Sequence, residues 1–323
     1  MTQDLAALSK WRPAALSRRR VLRLGLATAL GFGLGIGASG SAEARPATAL
    51  LHRRTIPSTG EQIPIIGLGT SDAFETRPGE SLAALREVLQ QFFALGGRLV
   101  DTSPTYGNAE NVVGTLAAEL GLTHKLFFAT KVHEVGEEAG IAQMEASERL
   151  LRRRPLDLIQ VHNLVDVETQ LHTLREWKAA KRVRYIGITH YRVGAFEALE
   201  NLMHRQPLDF VQFNYSILTP EAEQRLLPLA QEKGIAVLIN RAFEDGRLFQ
   251  RTRSEPLPPW AAEFDCSSWA QFALKYVISH PAVTCVIPAT SKIKHLVDNM
   301  AAGRGRLPDA AQRQRMRAYM AKL

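Results

Sequence analysis

From residue 63 onward the chain alternates short, continuously apolar runs with longer amphipathic stretches. The runs read IPIIGLGT, RLVDTS, KLFFATKV, LDLIQVHN, RVRYIGITH, LDFVQFNY, IAVLINRAF and VTCVIPAT. Between them apolar positions recur at helical spacing. In SLAALREVLQQFFALGG, Leu82, Leu85, Val88, Leu89, Phe92 and Phe93 share one face, and Gly96-Gly97 ends the pattern. A strand that is apolar at consecutive positions is covered on both faces, and intervening helices supply the cover, which predicts a parallel α/β sheet. Eight such units match the length of a closed (β/α)8 TIM barrel, about 250 residues. The competing arrangement, an open doubly wound sheet, ordinarily carries GxGxxG after its first strand. Gly67-Leu68-Gly69-Thr70-Ser71-Asp72 lacks the third glycine.

Two additions frame the repeat. Residues 53–62 read as an N-terminal β-hairpin turning at Ser58-Thr59-Gly60, placed to plug the amino end of a barrel, and a C-terminal helical extension follows the last unit. Residues 135–140 are predicted as a polar loop before the third helix. Residues 244–267, rich in proline and arginine, form the longest connection between units. Both would overhang the carboxyl-end mouth, where barrels bind ligands.

The first 44 residues stand apart from this pattern. SRRRVLR is followed by LGLATALGFGLGIGASG, whose five glycines from Gly25 to Gly37 weaken both helix and membrane partition, and Ala42-Glu43-Ala44 offers small residues at signal-peptidase spacing. A transmembrane anchor is the competing reading, but the apolar run is barely long enough to span. Paired arginines before a weak apolar run resemble a twin-arginine (Tat) signal. The expectation is therefore a Tat signal peptide over residues 1–44 and a single barrel domain over residues 45–323. The protein would meet the Tat translocase, leave for the periplasm already folded, and keep no stable membrane span once mature.

The formal charge of +8 could suggest a nucleic-acid partner. The distribution argues against one: the leader alone holds six basic residues against two acidic, leaving the remainder mildly basic with no basic cluster interleaved with aromatics. Cys266 and Cys285 are the two cysteines; Cys285 lies inside VTCVIP as a small buried hydrophobe, so the pair reads as unbridged. No HxxxH or CxxC spacing is present, and no metal is predicted.

Candidate chemistry gathers at strand ends. Asp101 and then Tyr106 follow the second strand, Lys131 ends the third, and His162 ends the fourth. In a barrel these ends converge on one mouth. A lysine closing an apolar strand is costly to bury without a carboxylate, and Asp101 is its natural partner.

DTSPTYGNAE, ATKV and QVHN, in this order on consecutive strands, resemble the aldo-keto reductase family over about residues 53–299. The resemblance implies a catalytic tetrad of Tyr106, Asp101, Lys131 and His162, which would reduce an aldehyde or ketone with hydride from NADPH. A phenol, of reference pKa about 10, is a reluctant acid, and a nearby ammonium favours its phenolate. Lys131 would therefore sharpen Tyr106 as proton donor, Asp101 would hold Lys131, and His162 would orient the small-molecule carbonyl substrate.

By the same resemblance Thr189, His190 and Gln212 would hold the nicotinamide carboxamide. Asn240 stands where an aromatic usually stacks, with Phe243 as a substitute. Thr290, Ser291, Lys292, His295, Asp298 and Asn299 would bind the adenosine-side phosphates and adenine, NADP rather than NAD. Phe74, His133, Asn163 and Trp260 are candidates to line the mouth around substrate. Two alternatives remain: a nucleotide-binding sensor or partner-binding barrel with slow turnover, and a barrel isomerase using Lys131 for Schiff-base chemistry.

Overall fold

The structure, a computed structural model, describes residues 50–77 and 79–323; the leader, residues 1–44, lies outside them. A hairpin opens the described chain, β1 (Arg53–Thr55) antiparallel to β2 (Gln62–Pro64), with Gly60 at φ +78° in its turn. Eight parallel strands follow: β3 (Leu68–Gly69), β4 (Leu99–Asp101), β5 (Phe127–Val132), β6 (Leu156–His162), β7 (Val183–His190), β8 (Phe210–Asn214), β9 (Ala236–Asn240) and β10 (Cys285–Val286). Each pairs with the next in chain order.

The two ends of the sheet also meet. Ile66 bridges Val286 and Gly69 bridges Ala289, and the Gly67 N–H donates to Val286 O at 2.8 Å. This closes the sheet into the predicted barrel and removes the edges an open sheet would leave unpaired.

Helices α1 (Ala83–Ala94), α2 (Ala109–Glu119), α3 (Glu137–Leu150), α4 (Val167–Ala179), α5 (Phe196–Arg205) and α6 (Leu226–Lys233) lie between successive strands. The long connection after β9 contains a short helix, α7 (Arg247–Arg251); α8 (Trp269–Ile278), α9 (Ile293–Ala302) and α10 (Ala310–Met320) complete the chain. Helix α1 buries Leu85, Val88, Leu89 and Phe92, the face its spacing predicts. Helix α3 begins inside the stretch expected to be loop. Gly136, at φ +87°, turns the chain there, and Glu137 and Glu138 occupy a first turn whose free N–H groups favour acids. Among the described residues no helix is long and apolar enough to cross a membrane.

Side chains of period two fill the barrel in layers. At the amino end Ile56 and Ile63 of the hairpin join Leu99, Phe127, Tyr185 and Phe210, all buried. The Tyr185 hydroxyl reaches the hairpin, donating to Glu61 Oε2 at 2.6 Å. Each fully buried Ile or Phe here contributes about 1.5–3 kcal/mol. Above this plug lie Ala129, Leu158, Leu238 and Cys285. Both cysteines are buried and unbridged, and burial raises both thiol pKa values, that of Cys266 to about 11.

Candidate active site

Continuing each strand by two residues toward its carboxyl end turns the interior polar. Phe127 and Ala129 lead to Lys131, Leu158 to Gln160 and His162, Phe210 to Gln212 and Asn214, and Ala236 and Leu238 to Asn240. The strands are in parallel register, with Lys131 opposite Gln160, His162 opposite Thr189, Thr189 opposite Gln212, and Asn214 opposite Asn240. The top of the barrel is therefore one polar layer on an apolar floor.

The structure brings the four strand-end groups together. Lys131 Nζ donates to Asp101 Oδ1 and to the Thr102 carbonyl, both at 2.7 Å. The two side chains are 1% and 3% exposed, so the ion pair is shielded from solvent. The Lys131 ammonium also lies 4.7 Å from the centre of the Tyr106 ring, and the His162 ring meets Tyr106 edge-on at 5.9 Å. The loop carrying Tyr106 is pinned by Asn108, whose Oδ1 accepts from the Thr76 N–H at 2.8 Å.

Burial favours the neutral form of every group here, and neighbouring charges then decide. For Lys131, burial lowers the pKa, but Asp101 and Tyr106 outweigh it and hold the ammonium above the ordinary lysine value. Schiff-base chemistry needs the free amine, so this environment disfavours that alternative. For Tyr106, burial raises the pKa. Lys131 pulls it back by charge and by hydrogen bonding, Asp101 and Glu75 push it up, and the net is above the ordinary phenol. The ammonium acts in the expected direction, favouring the phenolate, and offsets part of the desolvation that raises the phenol.

His162 is pushed from 6.5 down to about 3, first by burial and then by the charges of Lys131, His133 and His190. It is neutral at physiological pH. Its Nδ1 lies 3.1 Å from Ser103 Oγ and 3.4 Å from Thr105 Oγ1, and Ser103 Oγ accepts the Thr105 N–H at 3.2 Å. With a hydroxyl donating to Nδ1, we assign the ring proton to Nε2, the tautomer that can donate to a carbonyl oxygen. Ser103 and Thr105 were not singled out in the sequence, nor were Gln160 and Asn214. The last two were readable by counting in twos along strands already found.

Acid should therefore weaken the fold. His280 is held down to about 4, by burial and then by Arg313. Below about pH 6.5 the unfolded chain protonates both histidines, whereas the folded chain does so only near their depressed values. The contribution of these two histidines is constant above that window and falls as pH drops through it, by at most about 1.4 kcal/mol per pH unit for each. Urea midpoints between about pH 7 and about pH 5 should decline, less steeply in His280→Gln. An equal decline in both would remove His280 from the account.

The cofactor candidates divide into two regions. Near the tetrad, Thr189 Oγ1 donates to Gln212 Oε1 at 3.1 Å and Asn240 Nδ2 to the same oxygen at 3.3 Å, while Gln212 Nε2 donates to Asp101 Oδ2 at 2.9 Å. His190, half-buried, stacks on Tyr191 at 5.6 Å and accepts the Arg192 N–H at 3.1 Å. The buried Oδ1 atoms of Asn163, Asn214 and Asn240 have no hydrogen-bond partner. These orphaned acceptors at the mouth suit an amide donor, and a nicotinamide carboxamide supplies one. Phe243, the alternative stacking partner, instead packs on Phe249 at 5.0 Å.

The second region is the start of α9. Thr290 Oγ1 accepts the Lys292 N–H at 3.1 Å, and Ser291, Lys292 and His295 are exposed. His295 lies below the ordinary histidine value through burial and the charges of Lys294 and Lys292. This electropositive helix start fits a phosphate. Asp298 accepts from Ser268 Oγ and Gln271 Nε2 at 2.8 and 2.7 Å, and Asn299 is buried beside it on α9.

Of the mouth candidates, His133 and Asn163 adjoin the tetrad. His133 Nδ1 is 3.3 Å from the His162 carbonyl, and Asn163 directly follows His162 at φ +52°. Phe74 is wholly enclosed in the core, so as it stands it packs rather than lines the mouth. Trp260 rests on Phe264, Phe272 and Tyr319, with Arg315 over its ring at 4.2 Å, which joins the long connection to α8 and α10.

Residues 65–317 match the Aldo/keto reductase family. The chain is 28% identical to aldo-keto reductase YhdN of Bacillus subtilis (strain 168) over 221 residues, 62% of this chain and 65% of that protein, so the match spans just under two thirds of that relative. In fold it is similar to an aldo-keto reductase from Bacillus halodurans in its holo form, with TM-score 0.69 and 22% identity over 84% of this chain and 96% of that one. It is similarly close to an aldo/keto reductase from Klebsiella pneumoniae in complex with NADP and acetate, with TM-score 0.66 and 23% identity over 84% and 95% of the two chains. The family match covers most of the chain and includes every strand of the barrel and all four groups gathered at its mouth: the chain belongs to the Aldo/keto reductase family.

Proposed function

We propose that this protein reduces an aldehyde or ketone to an alcohol, with Tyr106 as proton donor and NADPH as cofactor. The observation that carries this reading is the solvent-shielded Lys131–Asp101 pair set against the Tyr106 ring, with a neutral His162 beside it. When bound, NADPH supplies hydride to the carbonyl carbon. Negative charge then develops on the carbonyl oxygen. His162 Nε2–H stabilises it, and Tyr106 delivers the proton. Lys131 holds the phenol in place and eases its loss of the proton, and Asp101 keeps Lys131 charged.

The orphaned acceptors of Asn214 and Asn240 would take the carboxamide, with Thr189 and His190 alongside, and Thr290, Ser291, Lys292 and His295 would take the phosphates. NADP complexes of the Klebsiella pneumoniae protein agree with this cofactor. His133 and Asn163 would contact substrate. Residues 1–44 would direct export through the Tat translocase to the periplasm, with residues 45–323 folding first as one barrel domain. Fluorescence titration with NADPH and NADH, followed by a panel of aldehydes and ketones, tests the reading. It predicts saturable NADPH binding and carbonyl-dependent oxidation; absence of both would reject it.

A further inference from the structure

The Asp101 carboxylate is held by more than its lysine. Lys131 occupies Oδ1, while Gln212 Nε2 donates to Oδ2 at 2.9 Å and Gln160 Nε2 adds a long contact at 3.5 Å. All four side chains are buried. An ionised carboxylate only accepts hydrogen bonds, so Gln212 must present its NH2 group to Asp101. Its Oε1 then becomes the acceptor for neighbours on either side, Thr189 of β7 and Asn240 of β9. Asn240 must in turn present its NH2, which leaves its Oδ1 as the buried acceptor without a partner. One charge thereby orders two successive amides across two strands.

This arrangement answers a physical need. A buried carboxylate bonded through one oxygen alone is free to turn about its Cβ–Cγ bond, and its second oxygen pays the desolvation cost without a partner. Gln212 removes both problems. Thr189 and Asn240 fix its far end, so it cannot swing away.

We propose that Gln212 is a positioning residue for the proton donor: it clamps Asp101 Oδ2 so that Oδ1 stays on Lys131, and Lys131 on Tyr106. The inference rests on the reductase reading for its purpose and on the hydrogen-bond geometry for its substance. It adds to the direct carboxamide contact expected of Gln212, because Nε2 carries two N–H donors and the bond to Asp101 uses one of them.

Four groups face Tyr106. Lys131 of β5 favours its phenolate, Asp101 of β4 and Glu75 of the loop after β3 oppose it, and the neutral His162 ring of β6 lies edge-on. Without the Gln212 amide the charge of Asp101 is less compensated and its hold on Lys131 less directed, and both changes disfavour the phenolate. Gln212→Met removes the donor at similar size. Gln212→Glu keeps the shape and sets a second carboxylate against Asp101.

Tyrosinate absorbance, measured as the difference between each protein and its Tyr106→Phe counterpart, isolates this phenol and needs neither cofactor nor turnover. The midpoint should rise by about one pH unit in Gln212→Met and further in Gln212→Glu. Should Gln212→Met not fold, Gln212→Asn decides in its place, since it keeps a neutral amide but withdraws it from Asp101 Oδ2 by one methylene, and the same direction of shift is expected. A raised midpoint supports the clamp even if no carbonyl is ever reduced, an outcome that would reject the function while leaving the clamp standing. An unmoved midpoint in a folded variant overturns it, and weakened NADPH binding with that unmoved midpoint would make Gln212 a direct cofactor ligand.

Discussion

Replacing Tyr106 by phenylalanine is expected to lower kcat for carbonyl reduction by about a thousandfold while leaving NADPH affinity within a few-fold of the parent. A positioned general acid is typically worth 10²–10⁴ in rate, and this substitution deletes only the transferable proton. The ring stays, so its edge-on contact with His162 and its place beside the Lys131 ammonium are retained, and the loop remains tied through Asn108 to Thr76. Stability should change by less than about 1 kcal/mol, the scale of a single net hydrogen bond. Stopped-flow NADPH oxidation together with binding titration reads both quantities. Parent-like kcat in Tyr106→Phe would transfer the proton-donating role to another group.

The second large effect is on stability. Lys131→Met should destabilise the protein by about 3–5 kcal/mol and abolish measurable reduction, because it leaves the Asp101 carboxylate buried without its counter-charge. Gln212 still donates to Oδ2, but one neutral amide does not replace an ammonium. Adding Asp101→Leu should recover most of the lost stability, since a buried pair replaced by apolar side chains is close to neutral. Activity should not return. Urea denaturation of the parent, both single variants and the double variant gives the coupling directly. Additive losses would mean that the two groups do not interact as a pair.

Together these variants separate two properties of the same residues. Tyr106 is expected to matter for chemistry and little for folding, whereas Lys131 and Asp101 matter for chemistry as a pair and for folding only when one is removed without the other. The pair is needed inside the barrel because that is where the phenol is. Solvent there would compete for the ammonium and weaken its influence on the ring.

Much of this was legible in the chain. The eight apolar runs and the helices between them gave the barrel, and DTSPTYGNAE, ATKV and QVHN marked Asp101, Tyr106, Lys131 and His162. Such features are local: periodicity and residue type at a strand end depend on neighbours within a few positions. Helix α3 was misread at its start because Gly136 both breaks the preceding loop and opens the helix, and its φ of +87° is not written in residue type alone. Phe74 and Trp260 carried the right composition for a mouth. Of the tryptophan's neighbours, Phe264 is close in sequence, but Phe272 and Tyr319 come from helices that folding brings against it.

The sequence by itself determined the order of elements, the parity of inward-facing positions and the four groups at the strand ends, because backbone geometry imposes those periods wherever the residues lie. Tertiary structure decided what the groups became. Asp101 and Gln212 are 111 residues apart, yet their hydrogen bond orients a carboxylate, a lysine and two amides at once. In the barrel closed through Ile66 and Val286, Asp101, Lys131, Gln160 and Gln212 are all buried away from solvent. Once water is gone, the balance of burial against nearby charge sets each proton affinity, raising Tyr106 and Lys131 and lowering His162. That balance depends on distances in three dimensions, which residue order does not contain.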